Sequence, residues 1–377
     1  MNHHEGIRNM IATVADIIGV MKTIAPPHLA EEWDNPGLQI GRKNRPVKRV
    51  WIALDPLTEV VETACCRHID LLITHHPLIF KPIRSIDLNT PLGRIVQLAV
   101  SHQLAVFSAH TNLDSAPDGL NDMLSQKIGL RRLRPLCPGK NSGLCRLDLT
   151  FSSRYQQEVH RLLNMSASEM PAVKKWRMIP AFENGMGIQD FDSVDTTHKT
   201  IRVESIVAES DIRTVTDKLK QIMPPDGLTY EAYPVGLSEK RYGLGRIGEL
   251  ETSVCLDEFA RHIQRILDLP VVRVAGTPDM RVDSVAVCSG SGSSLMSRFF
   301  SSEAQVYVSG DMGYHDARAV EESGRGLIDL GHFHSEHLVV DMLVRVLRDK
   351  LSNAGFDTIV EACPCEKDPF RFLRQME

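Results

Sequence analysis

The sequence predicts an α/β fold: a largely parallel sheet core covered by helices, formed by both chain ends, with an α+β domain inserted between them. Three observations carry that prediction. Short β-branched runs alternate with helical runs near both termini, the rhythm of βα units in a sheet buried on both faces. The texture changes between two Pro/Gly-rich breaks, RPLCPGKNSG at 134–143 and PPDGLTYEAYPVGLSEKRYGLG at 224–245. Finally, 377 residues exceed what one hydrophobic core usually supports. The expected parts are a first half of the core at 1–137, an insert at 138–240 and a second half of the core at 241–377.

In chain order, VKRVWIALD (47–55) is β-branched and apolar before an acidic stop, a strand, and TEVVETACCRHI (58–69) has helical periodicity with Thr58 as its cap. DLLITHH (70–76) reads as a buried strand, TPLGRIVQLAVSHQ (90–103) as a helix, AVFSAH (105–110) as a strand and GLNDMLSQKIG (119–129) as a helix. In the insert LCRLDLTF and KTIRVESIVA are strands, while QQEVHRLL and SDIRTVTDKLKQIM are helices. The βα rhythm returns in DSVAVCSG (283–290), AQVYVSGD (304–311) and GLIDLG (326–331), each followed by helical sequence.

Composition excludes several classes. Hydrophobic residues at 42% and charged residues at 24% are globular usage, not global disorder. A formal charge of -5 leaves no cationic excess for a phosphate backbone, so nucleic acid is not expected as a partner. No run approaches the roughly 20 apolar residues of a membrane span. MNHHEGIRNM lacks the basic and apolar regions of a secretory signal, and eight scattered cysteines read as reduced thiols, so a cytoplasmic protein is expected. Cys65-Cys66 and Cys363-Pro364-Cys365 have no second pair at zinc-ribbon spacing and read as buried fillers rather than metal ligands.

Three strand ends carry the informative residues: Thr74-His75-His76-Pro77, His110-Thr111-Asn112-Leu113-Asp114 and Gly331-His332-Phe333-His334-Ser335-Glu336. Open parallel sheets place their sites at such carboxyl ends. His75 and His76 would face opposite ways in a regular strand, so both serve one site only if the strand stops, and Pro77 supplies the stop. His332 and Glu336 share a helical face or flank a helix entrance, either of which puts both at one place. The apolar stripe Leu338, Val339, Met342, Leu343, Val346 and Leu347 anchors the helix that follows.

Two or three imidazoles with two carboxylates suit Zn, Mn, Fe, Co or Ni, and this donor mix does not choose among them. Such a count exceeds a mononuclear catalytic zinc site without saturating two ions, so two divalent ions sharing a water are expected, zinc foremost. That is hydrolytic equipment. His110 and His315 are candidate proton carriers; Asp311 and His315 read as groups behind the ligands, as a proton donor to the leaving group, or as a capped helix start. The loop Ser289-Gly290-Ser291-Gly292-Ser293-Ser294 joins a strand to a helix and is a candidate for presenting backbone N–H groups to a phosphate, though it lacks the Gly-Lys-Ser/Thr ending of a P-loop.

The motifs Glu32-Trp33-Asp34-Asn35-Pro36-Gly37-Leu38-Gln39-Ile40-Gly41, Thr74 through Phe80, Ser108 through Asp114, Val287 through Gly292, Gly310-Asp311-Met312-Gly313-Tyr314-His315 and Gly331 through Glu336 together resemble the NIF-three-like family, whose members are commonly labelled GTP cyclohydrolase 1 type 2 homologs. Pro36 and Cys288-Ser289 depart mildly from that pattern and leave the candidate ligands intact. The resemblance implies a dinuclear site on His75, His76, Asp114, His332 and Glu336, and a ring-shaped homohexamer. It also implies that the insert is a ferredoxin-like domain similar to PII-like and CutA-like modules, with Tyr230 through Pro234 at its edge. The expected function is a metal-dependent hydrolase acting on a small molecule, a nucleotide or related heterocycle, with GTP ring opening as the family-labelled reaction. The alternatives are a metal-dependent regulatory assembly whose insert senses a small molecule, and an interaction adaptor suggested by family naming alone.

Overall fold

Thr13 opens the first helix with a reciprocal cap: its hydroxyl accepts from Asp16 N, and the Asp16 carboxylate accepts from Thr13 N. That helix, α1 (Val14–Ile24), turns Val14, Ile17, Ile18 and Met21 inward. The computed structural model describes residues 10–139, 144–164, 175–181, 200–224, 227–235 and 242–373. The amino-terminal residues 1–9, parts of the two expected breaks (140–143, 225–226 and 236–241) and the expected 240/241 boundary lie outside them. The chain divides into two compact units, one drawn from 1–139 and 240–377, the other from 140–239.

In the first unit a short pair, β1 (Ala12–Thr13) with β3 (Pro46–Val47), accompanies a five-stranded sheet. Its parallel centre is β4 (Arg49–Ala53), β5 (Leu71–Thr74) and β6 (Ala105–Ser108), extended by β17 (Ile359–Ala362) beside β4 and closed by antiparallel β2 (Gly37–Ile40) beside β6. Alternate side chains divide between two helical layers. Val50, Ile52, Leu71 and Ile73 pack on α1 and on Leu343, Leu347 and Leu351 of α12 (Leu338–Asn353). Trp51, Ala53, Leu72 and Val106 pack on α2 (Thr58–Cys66) and α3 (Pro91–Ser101). Thr90 caps α3 as a threonine should, but Thr58 is already inside α2, behind Leu57, and gives no side-chain cap.

The other half of this unit departs from the expectation of one largely parallel sheet. A second sheet has the order β13-β16-β15-β14-β12-β7. Only β14 (Arg281–Ser291), β15 (Val306–Gly310) and β16 (Gly326–Asp329) are parallel; β7 (Arg131–Pro138), the long β12 (Gly243–Cys255) and β13 (Arg273–Ala275) pair antiparallel. The sequences RRLRPLCP and GLGRIGELETSVC hide these strands, because glycine, proline and charge are depleted in β structure. Val285, Val287, Val306, Val308 and Ile328 pack on α5 (Leu120–Lys127) and α8 (Leu256–Ile266). Ala286, Tyr307 and Leu327 face α9 (Met296–Phe300) and α10 (Tyr314–Glu322). Two one-turn helices, α4 (Thr111–Ser115) and α11 (His332–Glu336), follow β6 and β16.

The second unit runs β8 (Leu144–Ser152), α6 (Gln156–Leu163), β9 (Lys175–Ala181), β10 (Thr200–Ala208), α7 (Ile212–Lys220) and β11 (Leu228–Pro234). Its strand order is β11-β8-β10-β9 with every neighbour antiparallel, the order of a split βαβ. Leu147, Leu149, Phe151, Val203 and Val207 bury Val159, Leu163, Val215 and Leu219 of its two helices.

Candidate metal centre

The backbone of β5 continues beyond Thr74, with His75 N and His76 N donating to Ala53 O and Leu54 O of the neighbouring strand. His75 is fully buried, and its Nδ1 lies 2.8 Å from Ala109 O. A carbonyl can only accept, so Nδ1 holds the proton and Nε2 of the neutral ring is a bare lone pair. That Nε2 has no hydrogen-bond partner. It points at two acids, 3.6 Å from Asp114 Oδ1 and 3.8 Å from Glu336 Oε1.

The same polarity recurs around the centre. His76 Nδ1 lies 2.7 Å from Asp55 Oδ1, and His332 Nδ1 lies 2.7 Å from Asp311 Oδ2. Both Nε2 atoms then converge on one carboxylate oxygen, Glu336 Oε2, at 2.9 and 3.0 Å, and stand 3.4 Å from each other. In the neutral tautomers their protons lie on the far side of each ring and these are contacts among acceptors, whereas in the imidazolium forms each Nε2–H donates to Glu336 Oε2. A convergence of this kind suits a divalent cation or, in its place, the protons of two imidazolium rings. His110 is placed likewise, with Nδ1 2.8 Å from Asp34 Oδ1. One ligand nitrogen each from His75, His76 and His110 lies within 4.8 Å of the others, and so do the ligand atoms of His76, His332 and Glu336.

Protons stand in when no cation is bound. Burial opposes charge on His76, but Asp55 and Glu336 carry its pKa up to about 10. The bond to Glu336 outweighs burial at His332 and, with Asp311, lifts it to about 9. His75 is raised as well, burial being outweighed by Asp114 and Glu336. Glu336, only 4% exposed, is held well below the usual carboxylate range because the imidazoles overcome its burial. Asp114 moves upward, since burial and the neighbouring Glu336 charge disfavour its ionised form. Asp114 Oδ1 is buried without a partner, a second acceptor that a cation would satisfy.

Gly290 makes room for this. At φ +64° it occupies the left-handed region, and a Cβ there would sit 2.1 Å from Glu336 Oε1 and 3.5 Å from His332 Nε2. The start of the candidate phosphate loop therefore has another use. The Ser289 and Gly290 N–H groups are given to Asn121 Oδ1 and Ser335 Oγ, so neither is free for an anion.

His75, His76, Asp114, His332 and Glu336 thus lie together, and His110, expected as a proton carrier, stands among them as a further nitrogen donor. His315 does not join the cluster: it is exposed in the first turn of α10 with its ring edge-on to Tyr314. Asp311 backs His332, one of the roles read for it. In the sequence Asp55 reads only as the stop of a strand, and Asp34 lies inside a motif that gives it no role of its own. Of the cysteine pairs, Cys65 is buried while Cys66 is exposed, and Cys363 and Cys365 face each other.

The sequence model of the Duf34/NIF3 (NGG1p interacting factor 3) family matches residues 12–369. The chain is 30% identical to a GTP cyclohydrolase 1 type 2 homolog of Halalkalibacterium halodurans over 375 residues, covering 96% of this chain and 100% of that one. It is 31% identical to the protein of the same name from Bacillus subtilis over 366 residues, covering 95% and 98%. Among solved structures, a Bacillus cereus protein related to NIF3 aligns with a TM-score of 0.73 at 30% identity, covering 97% of this chain and 100% of that one. A Staphylococcus aureus protein aligns with a TM-score of 0.75 at 26% identity, covering 96% and 99%.

Proposed function

The chain belongs to the Duf34/NIF3 family, and from that premise we propose that it is a metal-dependent hydrolase with a dinuclear centre, acting on a nucleotide or related heterocycle. GTP ring opening, the reaction in its relatives' name, is the first candidate. One observation carries the reading: Nε2 lone pairs of oriented imidazoles converge on Glu336, beside buried acceptor atoms of His75 and Asp114 that have no partner.

Two divalent ions, zinc foremost and Fe, Mn, Co or Ni otherwise, held by His75, His76, Asp114, His332 and Glu336 would polarise the scissile group and supply hydroxide near neutral pH. The rest is done by the protein. Asp55, Asp311 and the Ala109 carbonyl fix each imidazole in the tautomer that presents Nε2 inward. Glu336 holds a negative charge where two rings meet. His110 adds a nitrogen donor or moves a proton through its inner nitrogen. Asp34 sits behind it as an anion: burial alone would raise its pKa, but His110 and Thr111 lower it. That charge stabilises an imidazolium as it forms. His315, on the exposed start of α10, serves as a proton carrier only if substrate reaches it.

We further propose a cytoplasmic homohexamer: the assembly rests on the family resemblance, and the location on the eight scattered thiols. Among the described residues no helix is long and apolar enough to cross a membrane. A regulatory reading has its own support: the insert's split βαβ order agrees with a PII-like sensor of small molecules.

The test is metal analysis of the purified protein with a turnover panel of nucleotides and heterocycles. Glu336→Ala should lose metal and turnover together. Full turnover by that variant in a metal-free state would sink the hydrolase reading. If the metal-loaded wild type binds an effector and turns over nothing, the regulatory reading replaces it.

A further inference from the structure

We propose that Cys363 and Cys365 form a thiol–disulfide pair that exchanges reversibly with low-molecular-weight disulfides of the glutathione class. The two residues follow β17 on either side of Pro364, and their sulfurs lie 3.3 Å apart. A disulfide spans about 2.05 Å, so closure needs the sulfurs to approach by little more than about 1 Å, within reach of small side-chain rotations.

The backbone already holds the turn. Cys363 N donates to Ile52 O at 2.8 Å, fixing one end against β4. At the other end the Glu366 carboxylate accepts from Leu54 N at 2.8 Å and Asp55 N at 2.9 Å. Pro364 locks the intervening φ. A three-residue segment pinned at both ends and stiffened in the middle loses little freedom when its ends are joined. The other adjacent pair lacks this arrangement, since the Cys65 sulfur turns to Leu98 O and Cys66 is exposed.

Burial assigns the steps. Cys365 is half-buried and Cys363 is only 7% exposed. Cys365 loses its proton to water and its thiolate attacks one sulfur of the small disulfide. A mixed disulfide forms at Cys365, and the first small thiolate leaves and takes up a proton. Cys363 then gives its proton to solvent and its sulfur attacks Cys365 Sγ. The Cys363–Cys365 bond forms, the mixed disulfide breaks, and the second thiolate departs and is protonated. The protein loses two hydrogens as one small disulfide becomes two thiols. Burial, with the facing sulfur and the Glu366 charge, pushes Cys363 up to about 12, which suits the resolving thiol and not the first attacker.

The experiment equilibrates the full-length, metal-loaded protein across ratios of reduced to oxidised glutathione, then quenches, alkylates and maps peptides. The Cys363 and Cys365 thiols should disappear together, in a peptide lighter by two hydrogens, and dithiothreitol should restore them. Cys363→Ser should trap glutathione on Cys365, whereas Cys365→Ser should leave Cys363 reduced. Exposed Cys66 is the internal control and should carry glutathione under the same conditions. If Cys66 reacts while both target thiols stay free, or Cys365 keeps glutathione in the wild type with Cys363 alkylated, the proposal is overturned.

Discussion

Replacing Gly290 with alanine should disable the metal centre while leaving the fold standing. The new Cβ would lie 2.1 Å from Glu336 Oε1, so reaching an ordinary contact of about 3.5 Å requires that oxygen to retreat by about 1.4 Å. The helix cannot follow, because Ser335 Oγ accepts from Gly290 N and donates to His332 O. The side chain must swing, and Oε2 leaves its place between His76 and His332. Coordination tolerates about 0.2 Å, so a displaced carboxylate is a lost ligand, and zinc affinity should fall by about 100-fold or more. A φ of +64° adds backbone strain of about 1–2 kcal/mol. Gly324→Ala separates the two effects, since that glycine has φ +71° and an added methyl group there would meet nothing within 4 Å. Competition with a chromophoric chelator reads affinity, and urea unfolding of the metal-free proteins reads strain. Gly290→Ala, which also loses the Glu336 contacts to His76 and His332, should lose at least as much stability as Gly324→Ala, and only Gly290→Ala should lose zinc. Wild-type affinity in Gly290→Ala would refute the placement of Glu336 as a ligand.

Acidity should act with opposite signs on metal uptake and on the metal-free fold. His76 and His332 sit at about 10 and about 9 when empty, above the ordinary 6.5, so metal must displace their protons and zinc affinity should rise with pH from 6 to 9 in calorimetric titrations. Their raised values stabilise the metal-free fold fully below about 6.5, and that contribution is lost as pH climbs through 9 and 10, so its Tm should fall over that range. Asp55→Asn removes the charge behind His76 and should weaken zinc binding by about 10–100-fold, read by the same chelator competition; an unchanged constant would mean that this acid does not orient the ring. Arg246, 1% exposed, donates to Asp122 and to the carbonyls of Ala116, Gly243 and Gly245. Arg246→Met should cost about 3–5 kcal/mol in urea unfolding by stranding the Asp122 charge, and Arg246→Met/Asp122→Leu should cost less than the single change.

The strand ends that bear the histidines were legible because LLIT is apolar on both faces and Pro77 stops it, a local signal. The acids that orient those histidines were not, because their spacing is set by pairing. Ala53 lies opposite Thr74 in the β4–β5 register, and two more residues along both strands bring Asp55 opposite His76. Thr74 lies opposite Ser108 in β5–β6, and the same extension sets Ala109 beside His75 and His110 beside His76. Once parallel neighbours are granted, simple counting finds the Asp55 pair and sets His110 beside the candidate ligands, where it can donate a nitrogen as well as carry a proton. Asp34 is beyond such counting: it approaches His110 from 76 positions away, out of a loop before the antiparallel edge strand. The first half of the Ser-Gly loop misleads for a different reason. A glycine pattern shows where backbone comes close to something, but not what it approaches, and at Gly290 it is a carboxylate and not a phosphate.

The division of the core into two sheets gives the centre its character. His75, His76, His110 and Asp114 come from the ends of β5 and β6, whereas His332 and Glu336 come from the end of β16 in the other sheet. Neither sheet alone assembles the donor set, so affinity for a cation depends on the packing between them. Arg246 of β12 joins that packing through the Ala116 carbonyl, two residues beyond Asp114. A cation bound across this seam is linked to folding by mass action, worth about 2.7 kcal/mol at a hundredfold excess over its dissociation constant. The centre is then also a clamp: the protons that rest on His76 and His332 in its absence neutralise the Glu336 charge but make no coordination bond across the seam.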